Sequence, residues 1–347
     1  MTEDYLPPDA PPGADSNWPL QMPPRAWLRI LRRVWIMAGF HELGLLAGGL
    51  AFYCFLALTP LIAATVMIYG LVGDADTVRK QMQSIVDVVP PEVAQVLQAQ
   101  LIQIVSTSSG VTGLALVIAL FFAIFGGMRA ANGMISALNI VNEEHETRGT
   151  IAVSFRAASL TLAAVFIALT GVLAGGAFTW LQRQASFYLG TSTATLFTWL
   201  TWLAALILGT CGFALIMRFG PDRRPAKWRW LAPGAMLATF LWLAISFGFS
   251  FYVAYISDYN ATYGSLSAIV VFLMWLYLSA YGVLLGALLN AEIERQVFRD
   301  TTAGRTRPPG KRGAVLADIL DDTIPTLEDL EQHKVRRARL ARQRLDS

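Results

Sequence analysis

Six stretches of this chain are apolar for long enough to cross a lipid bilayer, and its Lys and Arg residues fall almost entirely in every second gap between them. The runs are 43–71, 111–128, 155–181, 195–219, 230–256 and 264–289. The shortest, 111–128, has 18 residues. As a helix it would span roughly 27 Å at about 1.5 Å per residue, close to the roughly 30 Å of the hydrocarbon layer. Within lipid, helix is the only open form that pairs every backbone N–H and C=O internally, so six runs predict six transmembrane helices. A composition of 55% hydrophobic and 15% charged residues is too apolar for an ordinary soluble domain of 347 residues.

The placement of charge predicts the threading. Arg25, Arg29, Arg32 and Arg33 precede the first run, Arg148 and Arg156 lie around the second gap, and Arg218, Arg223, Arg224, Lys227 and Arg229 lie around the fourth. The chain after Arg295 is again rich in Lys and Arg, whereas the alternate gaps hold Arg79 and Lys80, then Arg183, then none. By the positive-inside rule both termini are cytoplasmic. The same distribution argues against a nucleic-acid partner, because the positive charge follows the loops of a membrane protein.

Between and beyond the runs the chain divides further. Residues 1–24, rich in Pro and acidic residues, read as a disordered cytoplasmic leader with no cleaved signal, so that the first span remains as an anchor. Residues 25–40 space Trp27, Ile30, Leu31, Val34 and Trp35 as a helix, either interfacial with its arginines largely on other faces or a plain extension of the first span. In the gap 72–110 two helically spaced apolar series flank Pro90 and Pro91, which predicts an amphipathic helical hairpin on the outer face. The membrane domain thus covers 25–298, and 299–347 reads as a linker followed by a charged cytoplasmic tail helix.

Catalytic patterns are missing. His41, His145 and His333 lie in separate segments, Cys54 and Cys211 each sit in an apolar run, and no metal-ligand spacing, nucleophile motif or phosphate loop is found, so no cofactor, metal or catalytic residue is expected. Apart from Glu42 at the entry to the first span, the interiors of the runs lack the carboxylate usual in a proton-coupled carrier. The polar feature that stands out is Arg129, Asn132, Ser136 and Asn139, a stripe along the end of the second helix, with Gly126, Gly127 and Gly133 permitting close contact. It reads as a cationic wall for an anionic head group, or as a helix that simply projects into the cytoplasm. Pro60 should kink the first helix.

The stretch with Tyr259, Asn260, Tyr263, Gly264 and Ser265, then 275–280, Gly286-Ala287 and Asn290-Ala291-Glu292, resembles the signature of the YihY/virulence factor BrkB family. The likeness extends through Pro233-Gly234-Ala235 and through 51–53 with Pro60, and covers about 26–299. Where that family usually has an acidic residue after Gly-Ala, this chain has Leu288. The resemblance implies a multi-pass protein of the bacterial inner membrane. A ribonuclease label carried by some members has no support in these residues.

Fold and function expectations follow: an all-α, polytopic six-helix bundle that is not an enzyme. It would transport or flip an anionic amphipathic envelope component such as a lipid, with Arg129 attracting the head group. The rival is a non-transporting scaffold of the envelope. Partners would be membrane lipids, and a second copy of the chain or other envelope proteins. The turn at 259–265 should be tight, with Gly264 opening the sixth helix and the tyrosines in the interfacial belt.

Overall fold

The computed structural model describes residues 10–72, 113–189, 191–255 and 266–319. Among these the regular elements are all helices, and the one β contact is an isolated antiparallel bridge between Ala226 and Thr302. A short helix, α1 (Pro24–Phe40), leads into six long ones: α2 (Leu43–Val72), α3 (Gly113–Val141), α4 (Thr150–Leu189), α5 (Thr191–Phe219), α6 (Trp228–Tyr255) and α7 (Ser267–Gln296). A last turn of helix, α8, covers Val315–Asp318.

Among the described residues four segments are long and apolar enough to cross a membrane: Thr150–Ile167, Thr195–Phe219, Trp228–Tyr252 and Ser267–Gln296. The bent pair Pro24–Phe40 and Leu43–Leu58 makes a fifth candidate. The run 111–128 starts outside the described residues and continues into α3, and α2 runs on past Pro60. The outer hairpin expected in the gap 72–110, from residue 73 onward, and the turn of Tyr259, Asn260, Tyr263, Gly264 and Ser265 lie outside the described residues.

Each long helix packs on its neighbours in sequence, and α7 returns to α2, which closes the six into a ring. The buried core gathers at one end, where Leu50, Leu138, Met217, Trp230, Leu284 and Ala287 meet. Small residues let the helices approach there. A Cβ on Gly126 would stand 2.9 Å from the Cα of Ala57 in α2. Gly234 of α6 and Gly286 of α7 face each other so closely that a side chain on either would strike the other's carbonyl.

Helix α1 meets α2 at 64°. The corner is Glu42, whose φ of +52° is left-handed, unusual for a residue with a Cβ. Ile30, Val34 and Met37 of α1 are buried against the core, whereas Leu28, Leu31 and Trp35 are exposed, Trp35 by 83%. An exposed apolar edge beside exposed Arg25, Arg29 and Arg32 suits a headgroup interface. Arg33 departs from that reading. Three residues after Ile30 and four before Met37, it shares their face and is 0% exposed.

Both flanking segments return to this end. Lys227 N–H donates to Thr301 O and Ala303 N–H to Pro225 O, each at 2.8 Å, so residues 297–319 lie across the α5–α6 connection. Within the leader, Ala14 is buried and its carbonyl accepts the Phe298 N–H at 2.9 Å.

Candidate functional site at the charged end of the bundle

Helix α6 continues through Pro233, which has no N–H to donate. Asn290, projecting from α7 four residues after Gly286, bonds the backbone on either side of Pro233. Its Oδ1 accepts the Gly234 N–H at 2.8 Å, and its Nδ2 donates to Leu231 O at 3.0 Å and lies 3.4 Å from the Met217 sulfur. A buried amide with each polar atom engaged locks α5, α6 and α7 together.

Two and four residues after Asn290, α7 carries the carboxylates Glu292 and Glu294, and each meets an arginine from another element. Arg33 Nε donates to Glu292 Oε2 at 2.7 Å, while its Nη1 reaches Gln296 Oε1 at 2.8 Å and its Nη2 the Glu292 carbonyl at 2.9 Å. Arg223 grips Glu294 through both terminal nitrogens, with Nη2–Oε1 at 2.7 Å, and its Nη1 also reaches Asn142 Oδ1 at 3.1 Å. The Thr301 hydroxyl completes the shell of Glu294. Removing one partner of such a pair strands a buried charge, at a cost of about 3–5 kcal/mol.

The α3–α4 connection is held in the same way. Asn139 donates to Glu146 at 2.9 Å and accepts the Asp222 N–H at 2.7 Å. Arg148 forks onto Glu146 with two bonds of 2.6 Å. That guanidinium holds the Glu146 carboxyl below its ordinary value. Burial raises Asp222, yet the Thr147 N–H at 2.7 Å, its hydroxyl at 2.6 Å and the Arg148 charge outweigh it and leave Asp222 low. Glu144 goes the other way. Burial pushes it from 4.5 up to about 7, against the pull of the Val315 N–H, accepted at 2.8 Å, and of the Arg223 charge.

The stripe on α3 divides in two. Arg129 and Ser136, seven residues apart and hence nearly aligned, are exposed. Asn132 and Asn139, about 60° around the helix from them, turn inward: Asn132 is half-buried with no bond to its Oδ1, and Asn139 is buried in the loop network. Arg129 stands 5.1 Å above the Phe125 ring, which stacks at 6.2 Å on Phe121. No carboxylate lies within ion-pair distance of Arg129 among the described residues.

Asn290 and Glu292 were visible in the sequence only as letters of a motif, Glu294 was not singled out, Arg33 read as a cation of the helical segment 25–40, and Arg223 as a loop charge. Opposite charges separated by 259 and 71 positions give no local signal of pairing. Among the described residues no group of three or more His, Cys, Asp or Glu side chains could hold a metal ion.

Comparison with known proteins points to a family of membrane proteins. The family described as virulence factor BrkB matches residues 36–310. The chain is 30% identical to the ribonuclease-like protein YfkH of Bacillus subtilis over 176 residues, 50% of this chain and 64% of the relative. A UPF0761 membrane protein of Rhodospirillum centenum is 26% identical over 86% of this chain and 63% of its own length. Another from Tolumonas auensis is 25% identical over 80% of this chain and 89% of its own. The matches thus span just under two thirds of the first two relatives. No solved structure matches.

Proposed function

We propose a function from the premise that this chain belongs to the virulence factor BrkB family, whose UPF0761 relatives are named membrane proteins. It crosses the bacterial inner membrane six times with both termini cytoplasmic, and it binds an anionic amphipathic lipid along α3 and passes it between leaflets. The observation that carries the reading is the file of Phe121, Phe125 and Arg129, spaced four residues apart on an exposed helix face. The rings offer an apolar track for an acyl chain. A guanidinium resting on an aromatic face keeps its N–H edge free to fork onto phosphate oxygens.

A second reading has its own support. At the charged end Arg33, Arg148 and Arg223 are each spent on carboxylates of the chain itself, which suits a rigid scaffold. Reconstitution separates the two. In vesicles holding a fluorescent phosphatidylglycerol, the protein should speed exchange between leaflets, Arg129→Ala should slow it at unchanged protein level, and Arg129→Lys should retain part of it. If exchange does not depend on the protein, or Arg129→Ala lowers abundance alone, the scaffold reading takes its place.

A further inference from the structure

A small cavity of about 20 Å³ opens where α5, α6 and α7 converge, lined in part by Met217, Arg218, Arg223, Trp230, Asn290 and Glu294. Two of these side chains carry a buried N–H with no acceptor: Nε1 of Trp230, a residue only 3% exposed, and Nε of Arg218. Both belong to residues held firmly in place. Arg218 donates to Ala226 O and packs 4.7 Å from the Trp228 ring. Trp230 sits in the first turn of α6, where the helix dipole favours negative charge.

The other polar atoms around the cavity are engaged. Glu294 is taken by Arg223 and Thr301, Asn142 Oδ1 by Arg223, and Asn290 by Gly234 and Leu231. What remains is donors without acceptors, in a lining of two arginines and one glutamate that sums to one positive charge. A water molecule would bring two protons that need acceptors, whereas a bare anion needs donors alone. The volume admits about one water-sized particle and is too small for a phosphate group.

We infer that this cavity is a binding site for one monovalent anion of halide size, held by Trp230 Nε1 and Arg218 Nε and balancing the charge of Arg218. The anion would tie the end of α5 to the start of α6. The test uses the full chain in a zwitterionic detergent at constant ionic strength, with sodium chloride, bromide, phosphate or gluconate. Chloride and bromide should raise the unfolding midpoint saturably, while phosphate and gluconate should not. Trp230→Phe, which keeps the ring and removes the N–H, should raise the half-saturating halide concentration at least about tenfold. Should that variant fail to fold, crystals of the wild type grown in bromide should show an anomalous peak within contact of both nitrogens. Equal effects of all four salts, an unchanged halide affinity in Trp230→Phe, or no such peak would overturn the assignment.

Discussion

The side chain of Asn290 accepts the backbone N–H of Gly234 at 2.8 Å, so that α7 is tied to α6 at the residue next to Pro233. The partnership depends on the neighbouring contact of Gly234 with Gly286, which brings the two helix backbones near enough for a short amide to reach. Two motifs 56 positions apart therefore act as one device.

Asn290→Ala should destabilise the protein by on the order of 2 kcal/mol or more, since it leaves a buried donor and a buried acceptor unpaired. Asn290→Asp should recover only the bond from Gly234, because a carboxylate cannot donate to Leu231 O. Thermal unfolding of the purified variants in detergent measures the order, wild type above Asp above Ala; an Ala variant as stable as wild type would refute it.

Gly286→Val should be worse than Asn290→Ala, because its side chain must push α6 away from α7. Fluorescence-detected size-exclusion chromatography should show loss of the monodisperse peak. Gly48→Ala, at a position open around its Cβ, serves as the neutral control.

Arg33→Met alone should cost about 3–5 kcal/mol by stranding Glu292 in the core. The double variant Arg33→Met, Glu292→Leu should regain most of that loss, as buried pairs replaced by apolar groups commonly do. A double-mutant cycle on unfolding free energy reads the coupling, and additive losses would show the pair to be independent.

Stability should fall as pH rises through neutrality, and Glu144 should be a cause. Its folded value of about 7 exceeds the ordinary 4.5, so its contribution is fully present below about pH 4.5 and is lost as pH rises through about 7. Asp222 and Glu146, held low, act in the opposite sense and only in acid, losing their contributions as pH falls below their ordinary values. Glu144→Gln should flatten the unfolding midpoint between pH 5 and about 8 relative to wild type. An identical slope in both proteins would assign the effect elsewhere.

Reporter fusions at Gly73, Gln184 and Asn260 should read as extracytoplasmic, and those at Glu144, Asp222 and Ser347 as cytoplasmic. One inverted site would break the six-span threading.

Long apolar runs need no knowledge of their neighbours to declare themselves helical, because lipid forces each backbone to satisfy itself; that is why the all-helical class and the approximate helix positions were legible from residue order. The family motifs were legible too, as letters. Their geometry was not. Arg33 looked like one more interfacial cation until α7 supplied Glu292, and the α3 stripe looked like a single wall although about 60° of helix rotation sets Asn132 and Asn139 apart from Arg129 and Ser136. Hydropathy is a property of a segment and can be summed along the chain. The partner of a buried charge, the acceptor of the Gly234 N–H and the closing of a cavity are pairwise relations between distant segments, and only the packing of α1, α5, α6 and α7 against one another decided them.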